Sequence, residues 1–236
     1  MKALVSAIAI ATTILAAGCS KEQGNVPLEE GIVAVDMGLS VKWASCNLDA
    51  TKMEEHGGYY QWAGTRNEAN SGKNLDWGNC PYHTGTNSEA GWTKYVSSKK
   101  PSYWSGPGSP DNKAVLDQTD DIAHIKLGGK WRMPTRQEWE DLRSEVNCKW
   151  SWTDVNGVYG YEVTSQSTGK SIFLPAAGYR HFEETSEVGE HGYYWSSTVD
   201  DDTPYYTNDI DFDRGDYGAG LRFRYCGESI RPVLEN

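Results

Sequence analysis

The sequence predicts an α+β domain of several short antiparallel strands, two helices and long irregular loops. Three observations point there. Only two stretches carry a helical hydrophobic period. Short alternating runs, punctuated by Gly, Asn and Pro, recur down the chain. The apolar content is carried by 10 Trp and 14 Tyr in a chain that is only 38% hydrophobic, so the core must lean on aromatic rings.

The first 18 residues stand apart. Met1-Lys2 is a short positive start, and residues 3–17 are an apolar run too short for a mature membrane span. The run ends Ala-Ala-Gly before Cys19. This is the pattern of an export signal cleaved ahead of a lipidated cysteine. Residues 19–31 then read as a polar tether, and 32–236 as the folded domain. Loss of Lys2 with the signal takes the net charge from -11 to -12. An exported acidic chain makes a poor partner for nucleic acid, whose phosphates need a basic patch. Four cysteines remain, Cys46, Cys80, Cys148 and Cys226. In an oxidising compartment they allow three disulfide patterns or four buried thiols, and no C-x-x-C pair marks a zinc or redox site.

Within the domain, Ile32, Val33, Val35, Val41, Trp43 and Cys46 predict two short strands about Gly38, and residues 57–65 a further strand-like piece. Residues 66–110 are rich in Asn, Gly, Ser and Lys, with Trp77, Tyr82, Trp92, Tyr95 and Trp104 scattered without period. They read as an irregular insertion pinned by its own aromatics. A first helix is expected over 117–127, stopping before Gly128-Gly129. A second is expected over 136–146, opened by the capping box Thr135–Glu138, with Trp139, Leu142 and Val146 on one face. Asn156-Gly157 predicts a tight hairpin, and 171–178 a buried strand. Residues 192–233 open with GYYWSS and close with SIRPV. These ends are expected to pair as core strands, burying Trp195 and Ile230.

The interior between those ends is polar and aromatic; composition alone reads it first as a twisted, exposed β-hairpin pair with a polar face and second as a contact surface, which the resemblance given below favours. Its candidate ligand-binding residues are Asp201, Tyr205, Tyr206, Asn208, Asp209, Asp211, Asp213, Arg214, Asp216, Tyr217, Arg222 and Arg224. Asp209, Asp211 and Asp213 alternate, so in a strand they share one face, where calcium would relieve their repulsion. A solvated acidic contact patch is the stronger reading, and no cofactor is otherwise implied. The five histidines are dispersed without metal spacing, and Arg214-Gly215-Asp216 is read as a turn. Ser196-Ser197 lacks the frame of a nucleophile elbow.

Several motifs together, VDMGLSVKWASCN, GGYYQWAGT, DNKAVLDQTDDIAH, GGKWRMPTRQEWEDL, SIFLPAAGYR, GYYWSS and SIRPV, resemble the Fibrobacter succinogenes major paralogous domain family. The resemblance spans nearly all of 32–234. It implies a C-type lectin-like fold, in the branch shared with formylglycine-generating enzymes and with variable proteins of diversity-generating retroelements. It further implies an exported, gut-Bacteroidetes-type outer-membrane lipoprotein, surface-exposed or periplasmic. Such a protein would bind a protein or glycan non-covalently through 192–233, a stretch that a retroelement could diversify. The sugar-binding lectin signatures are missing. The alternatives are a divergent formylglycine-generating-like enzyme or a purely structural adhesion protein. The enzyme reading lacks its cysteine pair, since only Cys226 lies in the matching region.

Overall fold

The computed structural model describes residues 32–86 and 88–236. The expected signal, the lipidation site at Cys19 and the tether lie outside them. The described chain is an α+β assembly of small antiparallel sheets with two short helices. In chain order the strands are β1 Ala34–Val35, β2 Val41–Ala44, β3 Trp131–Arg132, β4 Cys148–Val155, β5 Val158–Ser165 and β6 Ser171–Pro175. There follow β7 Tyr179–His181, β8 Glu184–Ser186, β9 Gly192–Val199, β10 Tyr206–Phe212, β11 Tyr217–Phe223 and β12 Val233–Glu235. The helices are α1 Ile122–Leu127 and α2 Arg136–Arg143.

The sheets run β1-β2-β12-β3, β4-β5-β6, β11-β10-β9 and β7-β8. The last strand is thus clamped between β2 and β3, which closes the domain on itself. The Asn156-Gly157 hairpin forms as expected. Both residues take positive φ, 52° and 84°, and the turn joins β4 to β5 in unbroken register.

β9 divides the interior in two. Successive side chains of a strand point to opposite faces, so Tyr194 enters one hydrophobic cluster with Trp43, Trp139, Ile210 and Phe212. Trp195 enters the other, with Tyr60, Trp62, Trp92, Tyr95 and Trp131. Burying a ring of this size removes roughly 200 Å² from water, about 5 kcal/mol. That is how a chain short of aliphatics stays folded. Two of the central indoles are matched: Trp195 Nε1 donates to Tyr60 O at 2.6 Å, and Trp62 Nε1 to Ser196 O at 2.9 Å.

Several boundaries differ from expectation, each for a local reason. The first helix begins at Ile122 because Asp121 is its N-cap, accepting from the Ala123 and His124 amides. The second ends at Arg143. Ser144 turns extended, and its carbonyl accepts the Asn147 and Cys148 amides, so the chain swings into β4 and leaves Val146 85% exposed. Residues 57–65 form no strand. Positive φ at Gly57 and Ala63 bends the backbone, and only the bridge Tyr60↔Glu228 remains.

SIRPV does not pair with β9 as a ladder. The two meet at the single bridge Tyr194↔Ser229, and the strand proper starts at Val233 against β2. Trp195 and Ile230 are nevertheless fully buried. Among its described residues the 66–110 insertion has two 3₁₀ turns, Trp77–Asn79 and Pro101–Tyr103, and no helix or strand. Its Trp92, Tyr95 and Val96 are core residues of the first cluster, not a peripheral cover. Cys80, Cys148 and Cys226 are buried thiols outside any disulfide, and buried Cys46 directs its thiol to the Ala50 carbonyl.

Candidate functional site

The β10–β11 hairpin projects from the β9 sheet with its tip at 213–216. It holds most of the expected contact residues, and open cavities surround it. One of about 640 Å³ lies between the tip and the β4–β5 hairpin, walled by Trp152, Asp154, Tyr159, Glu190, Asp213 and Arg214. Another of about 370 Å³ opens on the β9 side, beside His191, Tyr193, Asp211, Asp216 and Gly218. A third, of about 590 Å³, lies between the tip and the end of α2. The Trp152 and Tyr159 rings stack at 8° across the first, and Tyr159 is half exposed. Tyr217, directly after the tip, is anchored by stacking on Trp150, 4.7 Å centroid to centroid.

Register decides which of the expected residues meet. Asp209 stands opposite Gly220, Asp211 opposite Gly218, and Thr207 opposite Arg222. These residues share one face of the sheet with Tyr193, which pairs with Asp211. The Arg222 guanidinium lies over the rings of Tyr193 (4.3 Å) and Tyr179 (5.0 Å). Its Nε approaches Asp209 Oδ2 at 3.7 Å and Glu228 Oε1 at 3.5 Å, both beyond hydrogen-bonding range.

The Asp209 and Glu228 side chains are fully buried, and none of their four oxygens accepts a protein hydrogen bond. Burial, only partly offset by Arg222, pushes the Asp209 carboxyl up to about 7. Burial and the neighbouring Asp209 push Glu228 well above its ordinary range. The two carboxyls lie side by side, so once one is protonated it can donate to the other. Asp211, half-buried, is also raised by burial.

The remaining expected residues are scattered. Tyr205 and Tyr206 lie at the opposite end of the sheet, with Phe223, Tyr103 and Tyr225 in an aromatic corner. Asp201 is exposed on the loop before them. Asp213 Oδ1 accepts the Gly215 and Asp216 amides and so braces its own turn. Asp209, Asp211 and Asp213 therefore do not converge. Among the described residues no group of three or more His, Cys, Asp or Glu could hold a metal ion.

Two expectations are corrected. Arg224 is not a surface contact: it is 1% exposed, sandwiched by Trp62 and Trp92, and its guanidinium donates to the Lys94 and Tyr95 carbonyls. Burial lowers its pKa to about 9. Its physical task is to fasten the 66–110 insertion to the end of β11. Asn208 is buried too, its side chain donating to Thr198 O, and it belongs to the β9–β10 bulge. The burial of Asn208 follows from the irregular β9–β10 register and that of Arg224 from packing against the 66–110 insertion, neither of which the sequence announces.

Sequence reasoning missed Tyr193, Tyr179, His191 and Glu228. The period-2 rule held one usable signal: if Tyr194 faces a core, Tyr193 faces away from it. Glu228 gave none, because only the fold brings it beneath Arg222. The chain matches no protein-family model, and searches of the curated proteins and of the solved structures find no match either.

Proposed function

We propose that this chain is a non-covalent recognition module whose ligand-contacting surface is the β10–β11 hairpin and the concavities around it. One observation carries the reading: separate cavities of about 640, 370 and 590 Å³ all draw walls from this one polar hairpin. Concave sites with a few convergent polar groups and aromatic walls are where ligands bind, and a tip anchored by the Trp150–Tyr217 stack is preorganised. The ligand is a protein or glycan.

On this reading the domain is C-type lectin-like, with the first and last parts of the described chain joined through β2 and β12. It is displayed from the outer membrane by lipid on Cys19, and the diversified stretch would be 192–233. The described cysteines suit a binding module better than a thiol oxidase. Burial raises the thiols of Cys46, Cys80, Cys148 and Cys226, which suppresses the nucleophilic thiolate.

The test is retention of the purified protein on glycan and protein arrays, with Arg214→Ala and Tyr159→Ala as surface variants. Specific retention that falls at least tenfold in either variant is the expected result. Retention that ignores both would overturn the reading. A template repeat and a reverse transcriptase gene beside the coding sequence would identify diversification, and their absence would remove that part.

A further inference from the structure

We propose that the cavity of about 640 Å³ between the β4–β5 hairpin and the β10–β11 tip is a subsite for a neutral hexose, held by direct side-chain contact with its ring stacked on the Trp152–Tyr159 surface. The inference rests on the recognition reading above and chooses a carbohydrate as the occupant of this part of the surface.

The aromatic surface comes from strand register. Trp152 and Asp154 lie two apart on β4 and share a face, and Asp154 stands opposite Tyr159 of β5 on that same face. The indole and phenol rings are parallel to within 8°, with centroids 6.3 Å apart. Two core rings hold the indole in place: Tyr161 meets it at 5.2 Å and 79°, and Phe212 at 6.5 Å and 73°. Tyr159 is 52% exposed and carries the aromatic surface out into solvent.

The rim is a second, independent observation, because two other segments supply it. Glu190 follows the turn at Gly189, whose φ is 82° and whose amide donates to Ala176 O at 2.7 Å. Arg214 sits in the tip that Asp213 braces through the Gly215 and Asp216 amides. Both line the cavity and both are exposed. Among the described residues neither side chain has an ion pair or hydrogen bond, and no acceptor takes the Trp152 indole N–H. Asp154 also keeps an oxygen for a ligand, since only its Oδ2 takes the Gly157 amide.

This set of groups matches a pyranose. One face of such a ring is made of weakly positive C–H groups, which suit the negative face of an aromatic ring. Its edge carries hydroxyls that donate and accept at once. Neighbouring hydroxyls can give to Asp154 and Glu190 while taking from Arg214 and the Trp152 indole. An aromatic side chain of a peptide stacked there would leave the two carboxylates without donors. Asp154, Glu190 and Asp213 outnumber Arg214, so the cavity is negative and works against uronic, sulfated or phosphorylated sugars. Its volume lies in the range of small-ligand sites.

The experiment is saturation-transfer NMR of the purified protein with cellotriose, maltotriose, mannotriose and galactotriose, in buffer containing EDTA. Trigalacturonic acid is the charged comparison. Saturable binding of at least one neutral trisaccharide is expected, with saturation concentrated on the C–H protons of one ring face. Tyr159→Ala should weaken that binding by about tenfold, and Tyr159→Phe should keep it. Arg214→Ala should weaken it by a smaller factor, with thermal midpoints recorded to show that the variants fold. Binding of none of the four, loss of binding in EDTA, indifference to Tyr159→Ala, or tighter binding of the uronate would each overturn the proposal. If a protein on the array is still retained through Tyr159 and Arg214 in that case, only the carbohydrate assignment falls. Retention that ignores both residues removes the recognition reading as well.

Discussion

Two arginine–carboxylate clusters in this molecule have the same ingredients and opposite construction. At the start of α2, Arg132 forks onto Glu138, Nη1 to Oε2 at 2.8 Å and Nη2 to Oε1 at 2.6 Å. Glu138 Oε2 also takes the Thr135 amide at 2.8 Å, completing the capping box. Burial works against the Glu138 charge, but the Arg132 fork and the Thr135 amide outweigh it and hold the carboxyl below its usual range. On the β10–β11 face, Arg222 stands 3.5 and 3.7 Å from its carboxylates and no oxygen of the pair accepts a bond from it. The first cluster is satisfied and pins β3 to α2. The second is unmatched and its carboxylates lie fully buried beneath the β10–β11 face. Polar groups that hold a fold are matched internally, and a buried pair left unmatched works against stability instead.

Breaking each cluster should therefore have opposite effects on stability. Glu138→Ala removes half of the capping box and the Arg132 fork, leaving Arg132 its bonds to Glu235 and the Met133 carbonyl; urea unfolding should show a loss of about 2 kcal/mol. Glu228→Gln removes one of two crowded buried carboxyls and should raise stability at pH 8 by about 1 kcal/mol by the same measurement. A loss in Glu228→Gln comparable to that in Glu138→Ala would erase the distinction drawn between the clusters.

The pH dependence sharpens it further. A carboxyl whose pKa is raised on folding binds more protons in the native state. Stability from the Asp209–Glu228 pair should then fall as pH rises from about 4 through about 7. Glu138 is depressed, so its contribution is present above its unfolded pKa and is lost as pH falls below about 4. Thermal midpoints across this range should show both slopes, and Glu228→Gln should flatten only the upper one. An equally small effect is expected for Thr135→Ala, about 1 kcal/mol from the lost N-cap, with no change in the upper slope.

Local devices were legible in the chain because their physics is local. The Thr135–Glu138 box and the Asn156-Gly157 turn formed where neighbouring residues dictate them. Trp195 and Ile230 were readable as core from their apolar surroundings. Val146 misled because a helical period cannot see that Ser144 ends the helix. The candidate site was half legible: the polar hairpin could be placed, but Arg224 and Asn208 could not be told from true surface residues.

The sequence by itself determined the α+β class, the aromatic character of the core, the capped second helix, the tight hairpin and the location of the polar stretch. All depend on contacts between residues close in the chain. Only the tertiary structure decided that Arg224 is a rivet between Trp62 and Trp92, that Glu228 lies beside Asp209, and that Gly220 faces that same carboxylate. Those facts depend on strand register and on long-range packing. A one-residue slip would invert them without changing a letter of the local pattern.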